Sequence, residues 1–286
     1  MRHGFLLIDK PTGPTSHDVV DRVRNQLSEK NVGHVGTLDP AASGLLVLAV
    51  GAKALKVVEF FTGLSKEYEA QVTLGAVSST YDAQGMIEDV KPKAGWPVPD
   101  DIAIRRAIES RFLGKIQQTP PAHSAIHING KRAYELARQG KHVAMPSREV
   151  ELSACDVVSY AFPIITLRVA CSSGTYIRSL AHDLGDALGF GGYLSALRRT
   201  KVGEWDVKDA CPPSDAAWSR VIPLKNVMEN FHGIEVTEKE AEDIRFGRSI
   251  KHEVKTDTFA WFDGLPIAVL VPSKDGSRTA HPRKVL

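Results

Sequence analysis

The spacing of apolar and polar positions along the chain predicts most of its elements. FLLI within residues 5–9 reads as a strand that runs into KPTGPTS, where two prolines and a glycine forbid helix. Ser16 is placed to cap a helix whose apolar face is Val19, Val20, Val23 and Leu27. Residues 31–43 read as a loop, followed by a buried strand, LLVLAV, and a short helix through Leu55, Val58 and Phe61 that ends at Gly63. KEYEAQVTLG alternates with Tyr68, Ala70, Val72 and Leu74 on one face, the pattern of a half-buried strand. The proline-rich residues 90–99 read as a surface connection, and a helix follows over Ile104, Ile108 and Phe112. Residues 117–130 read as irregular, and KRAYELARQG as a short basic helix closed by Gly140. REVELSACDVV and IITLRVAC read as paired strands. After GTY, the residues Ile177, Leu180, Ala181, Leu184 and Leu188 recur at helical spacing.

A second unit begins near Phe231. Thr237 and Glu240 form a capping box, Ala241 and Ile244 face inward, and Gly247 stops that helix. TFAWF and LPIAVLV flank an Asp-Gly pair, a strong hairpin pattern. The expected division is a domain over residues 1–225, with a basic insert at about 115–145, and a small, mostly β domain over 226–286. The linker is expected around residues 212–230.

Length and charge narrow the class. A chain of 286 residues with 43% hydrophobic positions is long enough for a large core, which excludes disorder and disulfide-stapled miniproteins. Its longest apolar stretch, residues 44–52, is about half of the roughly 18 residues a membrane helix needs. FLLI is stopped by Asp9 and Lys10, too early for a signal peptide. The expectation is a cytoplasmic chain with no membrane partner. A net charge of +2 neither announces nor excludes a nucleic-acid partner, because the placement of charge matters more than its sum. Cys155, Cys171 and Cys211 lie far apart without a Cys-x-x-Cys pair, which fits reduced thiols better than disulfides or a zinc ribbon.

Several chemistries are missing from the motifs: there is no phosphate loop, no His-Glu-x-x-His and no Gly-x-Ser-x-Gly elbow. His123 and His127 stand four apart, but no third ligand is close in sequence and Pro120-Pro121 argues against a helix there, so no metal is expected. The segment that stands out is GHVGTLDPAASG, residues 33–44. Taken alone, Asp39 before a proline is either a turn aspartate or a carboxylate held rigidly at the edge of a cleft. In the second case it can act as nucleophile or general base. Tyr68 and Tyr176 taken alone read as core aromatics, and Arg178 as a helix-surface charge.

IDKPTGPTS, GHVGTLDPAASG, KEYEA, SAIHINGKRAYELAR and CSSGTYIRSLAHDLG follow one another in this order. From Phe5 to about Gly203 the chain thereby resembles the bacterial TruB-type tRNA pseudouridine synthases, which isomerise the T-loop uridine. The C-terminal residues more weakly resemble a PUA domain, an RNA-binding β-barrel. The resemblance implies an α+β fold: a mixed, mainly antiparallel sheet with flanking helices, plus a small C-terminal barrel. It also implies that Asp39 is the catalytic aspartate, that Tyr68 stacks on the uracil, and that Arg178 of Gly-Thr-Tyr-Ile-Arg pairs with Asp39. Such a pairing favours the ionised carboxylate. His34 would be the wedge that fills the gap left by a flipped base. Tyr176, Thr200, His127, Lys131 and Arg132 would contact RNA, as would basic clusters that include Arg105-Arg106, Arg198-Arg199-Lys201 and Arg245-Arg248-Lys251. Lys10 reads as structural.

No cofactor is implied, since the reaction involves neither redox nor group transfer. The implied partner is the tRNA T-arm, met by a monomer without guide RNA. Two alternatives stay open: a non-catalytic RNA-binding protein on the same scaffold, and a guide-RNA-dependent synthase. Departures from the family pattern fall at Ser79, where a carboxylate is usual, and at His123 and His127, where an aromatic residue and a lysine are usual. They bear on the grip on RNA, and they make His127 a phosphate contact whose charge would vary with pH.

Overall fold

The computed structural model describes residues 3–91, 97–124, 127–128, 131–133, 144–273 and 278–286, with the backbone alone for 127, 128, 131 and 132. The chain is built around one large sheet. Its main path runs Ile222–Pro223, Gly4–Lys10, Ser43–Val50, Gly192–Val202, Lys66–Leu74, Ile164–Cys171, Arg148–Ala161 and Gly114–Gln118. Every pairing in this sheet is antiparallel except that of Gly192–Val202 with Ser43–Val50, which is parallel and short. The sheet is therefore mixed and mainly antiparallel, as expected.

The predicted periodicities account for the packing. In Lys66–Leu74 every second residue is buried, from Lys66 through Tyr68, Ala70 and Val72 to Leu74. The helix Ile177–Leu188 buries Ile177, Leu180, Ala181, Leu184 and Leu188. With Ile104 and Ile108 of Asp101–Arg111 these side chains cover the same sheet face as Tyr68 and Val169. Ser16–Leu27 covers the opposite end of the sheet with Val19, Val20, Val23 and Leu27.

Several expectations need correction. Thr15, not Ser16, caps the first helix, through a capping box with Asp18 that satisfies two donors at once. Ser16 is the first helical residue and is buried against Leu38. The loop at 31–43 contains a short strand, Val32–His34, and the helix expected through Leu55, Val58 and Phe61 is two, Ala52–Val57 and Glu59–Thr62. Lys131–Arg132 begins the expected basic helix but pairs as a strand with His127–Ile128, while residues 134–143 lie outside the described part. The expected linker is tied down, because Ile222–Pro223 pairs with Gly4 and Phe5. The strand Gly192–Val202, central to the sheet, was not anticipated at all.

Residues Gly233–Glu235, Thr258–Phe262, Leu265–Pro272 and Ala280–Val285 form a separate four-stranded sheet. Its hairpin turns at Asp263 and Gly264, both at positive φ as a tight two-residue turn requires. This unit docks firmly on the first. Phe259 and Val269 share a core with Phe5, Val47 and Phe61, and Phe60 meets Phe259 edge-on at 5.0 Å. Glu59 is bridged by Arg283 and Lys284, which hold its carboxyl below the usual range. Cys155, Cys171 and Cys211 are buried free thiols, and burial pushes Cys155 to about 12 and Cys171 to about 11. Among the described residues no helix is long and apolar enough to cross a membrane.

Candidate active site

A cleft of about 800 Å³ opens where the 33–44 loop, the Tyr68 strand, the loop after it and the start of the Ile177–Leu188 helix converge. Asp39, Tyr68, Tyr176, Arg178 and His123 all line it. His34 and Thr200 are not among its lining residues. His34 ends the Val32–His34 strand half-buried, with an unpartnered buried Nδ1, and burial lowers its pKa. The Thr200 hydroxyl donates to Glu67 at 2.9 Å. The side chains of His127, Lys131 and Arg132 lie outside the described part.

The Asp39 loop is fixed by the polar side chains of Ser16, Lys10 and Arg199. The Ser16 hydroxyl donates to the Leu38 carbonyl at 2.8 Å and accepts from the Leu38 amide at 2.9 Å. Lys10 is fully buried, and its Nζ donates to the carbonyls of Pro11, Pro14 and Pro40. Burial lowers its pKa, while Asp39 nearby acts in the opposite sense. Arg199, also buried, donates to Leu45 at 2.7 Å, Thr37 at 3.2 Å and Gly36 at 3.4 Å. Two buried cations thus hold the loop by its backbone, which leaves the Asp39 carboxylate free to face the cleft, 43% exposed. Lys10 is structural, as expected, but Arg199 is turned inward and does not offer its charge at the surface.

Arg178 enters from the first turn of its helix and is almost wholly buried. Its Nη2 lies 3.1 Å from Asp39 Oδ2, and its Nη1 lies 3.5 Å from Asp82 Oδ2 and donates to the His123 carbonyl at 3.2 Å. The expected Asp39–Arg178 pair is present. The second carboxylate, Asp82, is not among the expected site residues, although it ends the SSTYD segment that also holds Ser79. Asp82 is itself held, its Oδ1 accepting from the Thr80 hydroxyl at 2.6 Å and the Gln84 amide at 3.0 Å. Ser79 serves the loop instead, with its hydroxyl accepting from the Met86 amide.

Tyr68 is buried beside this group, and burial raises its pKa while Arg199 pulls the other way. Its hydroxyl therefore stays protonated at ordinary pH. Tyr176 caps the helix by position, and Gln118 grips its backbone through both the amide and the carbonyl. Arg148 lies over the Tyr176 ring at 4.8 Å and donates to the Gly174 carbonyl, a second lining residue that was not anticipated. Among the described residues Lys66, Arg148, Arg178 and Arg199 line the cleft with Asp39 and Asp82, and each of these cations is engaged by a carbonyl or carboxylate of the protein itself.

The sequence matches two families over adjoining stretches: "TruB family pseudouridylate synthase (N terminal domain)" over residues 24–177 and "tRNA pseudouridylate synthase B C-terminal domain" over 178–214. The boundary falls just before Arg178, so the site draws on both. It is 38% identical to the tRNA pseudouridine synthase B of Corynebacterium aurimucosum, over 98% of this chain and 95% of that protein. It is 36% identical to that of Streptococcus thermophilus, over 100% of this chain and 99% of that protein. Among solved structures, a Cbf5-Nop10-Gar1 complex matches in fold with a TM-score of 0.71 at 23% identity, covering 100% of this chain and 84% of that one. The chain belongs to the TruB family of pseudouridylate synthases, and its activity is that of an isomerase.

Proposed function

We propose that the chain converts a uridine in the T-loop of tRNA to pseudouridine, with Asp39 as the catalytic carboxylate and no cofactor. One observation carries the reading: a carboxylate on a braced loop, open to the cleft and 3.1 Å from a buried arginine, beside the buried ring of Tyr68. Relatives named tRNA pseudouridine synthase B, similar over nearly the whole chain, support tRNA as the substrate. The isomerisation needs no third reagent. The bond from C1′ to N1 breaks, the uracil turns, a bond from C1′ to C5 forms, and the proton lost at C5 is balanced by one gained at N1. Asp39 drives the cleavage, Arg178 pairs with the carboxylate and orients it, and Tyr68 packs on the base. A base in a folded loop reaches Asp39 only after it flips out of its stack, at a cost of a few kcal/mol.

Residues 226–286 act in this reading as an auxiliary RNA-binding unit of PUA type. Its exposed Arg245, Phe246 and Arg248 support this, with the Arg248 guanidinium 5.2 Å over the Phe246 ring. The test of the central claim is Asp39→Asn, which keeps the loop's shape and removes the charge. Mapping of pseudouridine in a tRNA transcript should show the T-loop uridine modified by wild type and unchanged by the variant. The variant's tRNA affinity should stay within about threefold of wild type. Residual turnover above about one per cent of wild type would place the catalytic group elsewhere.

A further inference from the structure

Behind the cleft, Tyr81 and His182 lie face to face with ring centroids 4.0 Å apart and planes 6° from parallel. Neither residue lines the cleft, yet each is tied to one side of the Arg178–Asp82 contact. Tyr81 immediately precedes Asp82, and His182 is one helical turn beyond Arg178 on the same helix. Tyr81 adopts φ of +64°, a left-handed conformation uncommon for a bulky residue and sustained only where the surroundings enforce it. Part of that enforcement is backbone: the Tyr81 carbonyl accepts from Leu194 at 2.9 Å, and the Tyr81 amide donates to Ser78 at 3.0 Å. The ring contact adds to it, as a second link beside the Arg178–Asp82 contact between this loop and the helix that carries Arg178.

We propose that the Tyr81–His182 stack is a clamp that holds Asp82 against Arg178, and thereby sets where Arg178 meets Asp39; both rings are positioning residues. The proposal rests on the reading that Asp39 and Arg178 act together in the isomerisation. With the stack intact, Arg178 is shared between one carboxylate that is 9% exposed and one that is 43% exposed, so its position depends on where Asp82 is kept. With the stack broken, the 79–85 loop keeps its link to Leu194 but is tied to the helix through the Arg178–Asp82 contact alone. Arg178 can then follow Asp39 alone, and the carboxylate moves off its productive geometry. Small displacements of this kind act on the chemical step and leave substrate binding largely alone.

The test is steady-state pseudouridylation of a tRNA transcript by the full chain as wild type, Asp39→Asn, Tyr81→Gly, Tyr81→Phe, His182→Ala and the double variant Tyr81→Gly/His182→Ala. Glycine accepts the left-handed backbone, so Tyr81→Gly removes the ring without adding strain. His182→Ala breaks the same contact from the helix side, so the test stands if either variant folds. Expected is a fall in kcat of about five- to fiftyfold in both, with KM within about twofold of wild type. Tyr81→Phe should keep at least about half of the wild-type kcat, because the ring and not the hydroxyl makes the contact. The double variant should be no slower than the slower single one. Wild-type kcat in Tyr81→Gly and His182→Ala beside an inactive Asp39→Asn overturns the clamp alone. So do losses that add fully in the double variant, or a KM that rises while kcat holds. Full activity in Asp39→Asn overturns the functional reading and the clamp with it.

Discussion

Arg199 is 2% exposed, and its guanidinium holds the carbonyls of Gly36, Thr37 and Leu45, two of them within three residues of Asp39. Arg199→Met should leave those carbonyls without donors, at about 1 kcal/mol or more each, and lower stability by roughly 3 kcal/mol. Denaturant unfolding reads that loss, and turnover should fall with it as the loop loosens. In the sequence Arg198, Arg199 and Lys201 look like one basic cluster, but the structure separates them. Arg198 is bidentate to Asp9 at 2.8 and 3.0 Å, Arg199 points inward, and Lys201 stands 3.8 Å from Glu67. Alternation along a strand would have revealed the split. The strand went unrecognised because bulges between Leu194 and Ala196 and between Arg199 and Lys201 break the period of two. Asp39, Tyr68 and Arg178 were legible because short motifs carry them. Arg148 was not, since a lone arginine at a strand start carries no pattern.

The Ile177–Leu188 helix was legible from its periodicity, but the reason it sits where it does was not. At Gly185 a Cβ would lie 2.1 Å from the Gly192 amide nitrogen, so helix and central strand touch backbone to backbone. Propensity alone predicts that Gly185→Ala stabilises the helix by about 1 kcal/mol. The clash outweighs it at about 1–3 kcal/mol for overpacking, so the net change should be a lower midpoint of thermal unfolding. Turnover should fall as well, because the displaced helix carries Arg178. A higher midpoint would mean the contact is looser than it looks. The Lys66–Leu74 strand shows the opposite case. Its alternation fixed both the element and the inward face of Tyr68, since one face packs on helices and the other does not. The Lys131–Arg132 strand was misread as helix because KRAYELAR has helical composition.

The two units share one aromatic core, in which Phe60, Phe61, Phe231 and Phe259 meet edge to face. Cutting the chain at 226 would strip Phe60 of Phe231 and Phe259, and Phe61 of Phe231, so the contribution of the second unit to RNA binding is better tested by charge. Arg245→Glu and Lys251→Glu, both at exposed positions, should weaken tRNA binding. Each lost phosphate contact should reduce the slope of log affinity against log salt by about 0.7–0.9, with kcat at saturating tRNA unchanged. An unchanged slope would remove this face from the RNA interface. The C-terminal residues thus have a sheet of their own but share a core with the large sheet. The placement of Gly192–Val202 between Ser43–Val50 and Lys66–Leu74 has a consequence for how the molecule is made. Its two neighbours leave the ribosome about 140 residues before it in the one case and about 120 in the other, which at common rates of synthesis is roughly ten seconds. For that interval the Lys66–Leu74 strand, which pairs with Gly192–Val202 from end to end, has an open edge with no native partner on that side. The enzyme therefore completes its sheet late in synthesis, and the nascent chain passes through its most aggregation-prone stage before the pair of carboxylates and their arginine can assemble.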